Sequence, residues 1–101
     1  MYKEQFYIGL TTNDGKELNK EEAKNKILKV LNFEALTITE GVGVYTYYDG
    51  RKEEEKSFII EHLTEELEDL EQLKGRINKL KEELKQEAIL YTYTKINTIL
   101  F

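Results

Sequence analysis

The chain has no cysteine, no proline and no tryptophan, and its 101 residues include a single histidine. Without cysteine there is no disulfide, no thiolate metal site and no thiol nucleophile. His62 by itself cannot build a histidine-rich zinc or haem site. No run of about 18 apolar residues occurs, so a helical membrane span is excluded. The opening Met1-Tyr2-Lys3-Glu4-Gln5 lacks the apolar stretch of a signal peptide. These absences predict a cytoplasmic protein with no membrane contact, no metal and no cofactor. Arginine is scarce, and the net charge is −5 with acids spread along the chain. Nucleic-acid binders present a basic patch that releases counterions, so no nucleic-acid partner is expected.

What is present reads as a folded domain. Apolar residues make up 40% and charged residues 35%, a balance that supports a core rather than disorder. No linker-like stretch divides the chain, so residues 1–101 are expected to form one domain. Lys, Asn, Ile, Tyr and Phe are abundant. Their codons are AT-rich, which suggests a low-GC bacterium or its phage as the source.

Residues 2–12 alternate, with Phe6, Ile8 and Leu10 on one face and Gln5, Tyr7 and Thr11 on the other. That pattern predicts a half-buried strand. Asn13-Asp14-Gly15 signals a turn. Asn19, with Glu22 three residues on, predicts an N-cap for a helix of about 13 residues carrying Ala23, Ile27, Val30 and Leu31 on one stripe. Residues 36–48 form the second strand, and Asp49-Gly50 a hairpin turn. Val42 and Val44 must share a face with Phe58 and Ile60, so the loop needs an odd number of residues. Three is the expected number, with Gly50 left-handed, because a one-residue slip turns every side chain to the wrong face. The third strand is expected over about 52–61. Thr64 is the expected N-cap of a second helix of about 22 residues reaching Gln86. Leu63, Leu70, Ile77 and Leu84 would take heptad a positions, and Leu73 and Leu80 d positions, along a helix whose centre covers the sheet and whose ends overhang, free to pack on another subunit. Gly75 inside that helix suggests a close contact or a slight bend. A β-rich segment, 87–101, closes the chain. The order βαββαβ predicts an α+β ferredoxin-like sandwich: a four-stranded antiparallel sheet, in the order 4-1-3-2, with two helices on one face.

The candidate site is the sheet face away from the helices. By parity it would carry Tyr7, Tyr45, Tyr47, Tyr91 and Tyr93, beside Gly41 and Gly43. An aromatic patch of this size marks an interface or a binding groove. Tyrosine offers a flat ring for stacking and a hydroxyl for hydrogen bonding. Gly41 and Gly43 would leave a notch for close approach. Three occupants fit: a second copy of the chain, a small nucleotide-like ligand, or a host protein. No catalytic residue stands out. His62, between Glu61 and Glu65, reads as an ordinary boundary residue, and Glu53-Glu54-Glu55 as a solvated hairpin. Gly41-Val42-Gly43 lies inside a strand and lacks the third glycine of a phosphate loop.

Phe6-Tyr7-Ile8-Gly9-Leu10, Asp14-Gly15, Leu36-Thr37-Ile38, Gly41, Gly43 and Gln86-Glu87-Ala88-Ile89-Leu90 together resemble a family of small ferredoxin-like bacterial and phage proteins of unknown function. The resemblance carries over no catalytic residue. By analogy of size and codon bias the chain also looks like a phage accessory protein that counters host defence. The expected function is therefore a non-enzymatic, oligomeric binding protein of a phage or mobile element. It would act on a host protein or sequester a nucleotide-like signal. The alternative is a dimeric αβ-barrel enzyme, such as a cofactor-free monooxygenase or isomerase, with Glu40 as its one candidate acid.

Overall fold

A computed structural model describes all residues from Met1 to Phe101. The elements run β1 (Tyr2–Gly9), α1 (Lys20–Leu31), β2 (Thr37–Thr46), β3 (Lys52–Thr64), α2 (Leu70–Leu84) and β4 (Leu90–Lys95). The strands form one sheet in the order β2-β3-β1-β4, and every pairing is antiparallel. This is the expected ferredoxin-like α+β architecture, with β2 and β4 at the edges.

The core follows from phase. Phe6, Ile8 and Leu10 of the first strand region meet Phe58 and Ile60 of β3, and against them lie Ala23, Ile27 and Leu31 of α1 and Leu73, Leu80 and Leu84 of α2. All eleven are essentially removed from water. Each large side chain so buried contributes about 1.5–3 kcal/mol. Helix α1 starts as expected: the Asn19 side chain accepts from the Glu22 N–H at 3.0 Å. It ends at Asn32, whose φ of 51° is left-handed. The hairpin also matches. Thr46 pairs with Lys52, and the Tyr47 N–H donates to the Arg51 carbonyl. Three residues are left in the loop, with Gly50 at φ 87°.

The second helix differs. It spans 15 residues from Leu70, after the N-cap Asp69, which makes no side-chain cap. Thr64 is instead the last residue of β3, paired with Tyr2. The physical reason is local. Extending β3 gains ladder bonds to β1, whereas a helix from Thr64 would stack Glu65 against Glu68 and Asp69 at like-charge spacing. Leu63 therefore lies in a strand, Leu70 is largely exposed, and the overhanging heptad does not form. A Cβ added at Gly75 would meet nothing within 4 Å, so no close contact explains it.

The β2–β3 hairpin outruns the rest of the sheet. The β1–β3 ladder stops at Gly9–Ser57, while β2 and β3 stay paired from Val42–Lys56 to Thr46–Lys52. Val42 and Val44 do face the helix side, but no helix reaches them, and each remains about three-fifths exposed (62% and 59%). The free ribbon lengthens the molecule to 45 × 27 × 27 Å.

Candidate functional site

The face away from the helices carries Tyr7, Gly41, Gly43 and Tyr45, as expected. Tyr7 pairs with Ile59 on one side and Leu90 on the other, so the middle of that face is aromatic and apolar. The expected notch is only half there. A Cβ on Gly41 would come within 3.3 Å of Ile59 Cδ1, so Ile59 fills that hollow, whereas the nearest atom at Gly43 is the Glu55 carbonyl oxygen at 3.8 Å. Tyr45 and Tyr47 meet edge to face, with centroids 4.8 Å apart at 79°. The Tyr47 hydroxyl donates to Glu53, and the Arg51 guanidinium sits 4.5 Å from the Tyr47 ring centre. The Glu53 carboxylate raises the Tyr47 phenol above its ordinary range, through the hydrogen bond first and its charge second.

Tyr91 and Tyr93 are elsewhere. The β1–β4 register sets Tyr91 opposite Phe6 and Tyr93 opposite Glu4, which places both rings on the helix side. Leu90 and Thr92 face outward in their stead. Tyrosine and threonine alternate along this strand, so neither face is distinctly apolar, and packing chose between the two registers. The choice lets Tyr91 lie 5.1 Å from the Phe6 ring and close one end of the core. The tyrosines thus form two groups on opposite faces of the sheet.

The second group surrounds an acid and an imidazole. Glu4 lies in the phase of Phe6 and Ile8 and is only 3% exposed. A buried carboxylate must have partners. Its Oε1 is 2.8 Å from His62 Nδ1, its cross-strand neighbour, and its Oε2 accepts from the Tyr91 hydroxyl at 2.5 Å. The His62 ring stacks on Phe33, with centroids 3.7 Å apart and planes within 4°. Arg76 also lies over Phe33, its guanidinium carbon 5.6 Å from the ring centre. Arg76 is fixed by Glu68 at 3.1 Å and by the Leu31 carbonyl at 2.6 Å, an otherwise open acceptor at the end of α1. Tyr93 and Tyr2 form the rim, 6.5 Å apart edge to face. Burial, then the hydrogen bond to Glu4 and its charge, push the Tyr91 phenol far above its ordinary range.

Alternation of faces alone does not single out Glu4, and His62 reads from the sequence as a boundary residue. The signal was present: each is polar at a position whose phase is that of the core. Glu40, the acid of the barrel-enzyme alternative, is exposed. It pairs with Lys20 at 3.0 Å on the wall of an open groove of about 280 Å³. No group of three or more His, Asp or Glu side chains is placed to hold a metal ion. No helix is long and apolar enough to cross a membrane.

Fold and site together define a small ferredoxin-like α+β protein with a free β-ribbon and an acid–imidazole–phenol cluster at one end of its helix–sheet layer. Neither a family model nor a curated protein matches its sequence. Solved structures match in shape. A phage SAM lyase in its apo state superposes with a TM-score of 0.67 at 20% identity, over 92% of this chain and 78% of its own. The phage SAM lyase in complex with S-methyl-5'-thioadenosine gives 0.63 at 22% identity, over 93% and 80%. The periplasmic divalent cation tolerance protein CutA from Archaeoglobus fulgidus gives 0.57 at 12% identity, over 99% and 88%. Identities this low establish a shared fold alone. That fold overturns the expectation of a non-enzyme: the same architecture, across nearly the whole chain, carries a lyase. A periplasmic protein shares it too, so the fold does not specify a compartment.

Proposed function

We propose that this protein is a phage-type accessory enzyme that binds a nucleoside sulfonium of the S-adenosylmethionine class and cleaves it, working as an oligomer. The observation that carries this reading is the likeness in fold to a phage SAM lyase over 92% of the chain, including the form with a thioether nucleoside bound. The chemistry of the chain agrees. A sulfonium is a cation, and cations are held by aromatic faces and drawn by negative charge. The chain has seven tyrosines and a net charge of −5. In the balanced step the substrate's own carboxylate oxygen attacks the carbon beyond sulfur and closes a lactone, while the C–S bond pair stays on sulfur and a neutral thioether leaves. That leaving group needs no proton from the protein, so orientation is the main demand on the site. Tyr7, Gly41, Gly43, Tyr45 and Tyr47 are assigned to contacts between copies. Tyr91 and Tyr93 are assigned to the ligand end. Removal of such a nucleoside would serve a mobile element that must blunt a host defence.

The test is incubation of the purified protein with S-adenosylmethionine, with chromatography of the products and native mass spectrometry of the protein. S-methyl-5'-thioadenosine should accumulate, and Tyr93→Ala should slow its appearance at least tenfold. Absence of turnover, together with no calorimetric binding of either nucleoside, would overturn the reading.

A further inference from the structure

His62 is the sole imidazole in the chain, and the register makes it half of a dyad. Glu4 Oε1 takes up Nδ1 at 2.8 Å. Glu4 is 3% exposed, and its other oxygen already accepts from Tyr91. A carboxylate oxygen accepts, so the contact to Glu4 Oε1 is a hydrogen bond for a neutral imidazole when the ring proton is on Nδ1. Nε2 is then the lone-pair nitrogen. It has no hydrogen-bond partner within the protein. The one buried side-chain polar atom without a partner is Glu83 Oε2, so His62 Nε2 meets solvent. The ring plane is set by stacking on Phe33, with centroids 3.7 Å apart and planes within 4°, and the Nδ1 contact to Glu4 sets which edge faces the carboxylate.

We propose that Glu4 locks His62 in the Nδ1–H tautomer, and that His62 Nε2 is the accepting atom of a ligand site at this end of the helix–sheet layer, taking a hydroxyl-bearing ligand of the ribonucleoside class. A neutral imidazole nitrogen needs a donor, and a ribose hydroxyl is one. The exposed ring of Tyr93, with the half-buried ring of Tyr2 on the same face, offers flat surface for a base. Arg76, the guanidinium at this end, is already engaged by Glu68 and the Leu31 carbonyl rather than free for a phosphate, so nucleosides are favoured over nucleotides. Within this site His62 touches the ligand, and Glu4 is a positioning residue. The inference deepens the lyase reading and depends on it only for the choice of nucleoside.

Uniformly ¹⁵N-labelled protein tests it, since the imidazole signals belong to one residue. At the alkaline limit of the His62 titration, two-bond ¹⁵N–¹H spectra should show Nε2 unprotonated and Nδ1 protonated. Tyr91→Phe, which spares the Glu4–His62 contact, should preserve that pattern. Glu4→Gln should lose it. Millimolar S-methyl-5'-thioadenosine should shift the Nε2 resonance, and adenine, which lacks ribose, should not. A protonated Nε2 in the wild type, or equal responses to the two probes, would overturn the proposal. Turnover of S-adenosylmethionine with an unmoved Nε2 defeats this inference and leaves the lyase reading standing. An Nε2 shift without turnover supports the site and leaves nucleoside binding while removing cleavage from the proposed function.

Discussion

At the residue scale, the unusual feature is a carboxylate in a core phase. Glu4 persists there because β3 and β4 each bring it a partner, His62 on one side and Tyr91 on the other. Replacing Tyr91 by Phe would leave Oε2 with no donor, at a cost of about 1–3 kcal/mol near neutral pH. The same contact predicts an alkaline limb. The folded protein raises the Tyr91 phenol above its unfolded value of 10.0 through burial, then through the hydrogen bond and charge of Glu4, with Tyr93 and Glu68 adding negative charge. A group raised in this way stabilises the fold fully below its unfolded pKa, and that stabilisation is lost as pH rises beyond it. Urea melts at rising pH should therefore show the gap between wild type and Tyr91→Phe narrowing above about pH 10, where free tyrosine ionises. A gap that stays constant through that range would mean Tyr91 does not donate to Glu4.

At the element scale, α2 shows how little a leucine spacing says about where a helix begins. Leu63, Leu67, Leu70 and Leu73 step by threes and fours, yet the first lies in β3. The acids at 65, 66, 68 and 69 lack nearby cations along their own segment, and the strand gains bonds to Tyr2. Within the helix, Gly75 has open space where a Cβ would stand. Gly75→Ala should therefore raise stability by about 1 kcal/mol. For a domain of this size that corresponds to a rise in Tm of roughly 4–8 °C. Calorimetry of the two proteins checks it. A lower Tm in the variant would place another chain against that helix face. The hairpin, by contrast, was legible in the sequence to the residue. The shared phase of Val42, Val44, Phe58 and Ile60 allowed only an odd loop, and the loop formed has three residues.

At the scale of the whole molecule, both ends present apolar groups to water. The ribbon exposes Val42, Val44, Tyr45 and Tyr48, and the segment after β4 exposes Ile99, Leu100 and Phe101. The radius of gyration, 14.7 Å, exceeds the roughly 13 Å of a rounded 100-residue domain, as the projecting ribbon requires. Exposed apolar surface of this extent favours association. Native mass spectrometry and light scattering should report an oligomer at micromolar concentration. Val44→Glu and Tyr45→Glu, one on each face of the ribbon, should shift it toward monomer while the circular dichroism of the helices is retained. A wild-type monomer, or variants that assemble as before, would remove the ribbon from the interface.

The sequence by itself determined the order of the elements, the hairpin loop, the cap of α1 and the greater part of the core. Each of these depends on contacts close along the chain or on a sharp contrast between apolar and polar phases, as in Phe6, Ile8 and Leu10. Tertiary structure alone decided three further matters. It set the face of Tyr91 and Tyr93, because a strand of alternating tyrosine and threonine has no apolar phase to read and only the register with β1 selects one. It left Val42 and Val44 in water, because burial requires a helix overhead and none extends that far. And it joined Glu4 to His62 across 58 residues, a pairing fixed by the β1–β3 ladder and by the need of a buried carboxylate for partners.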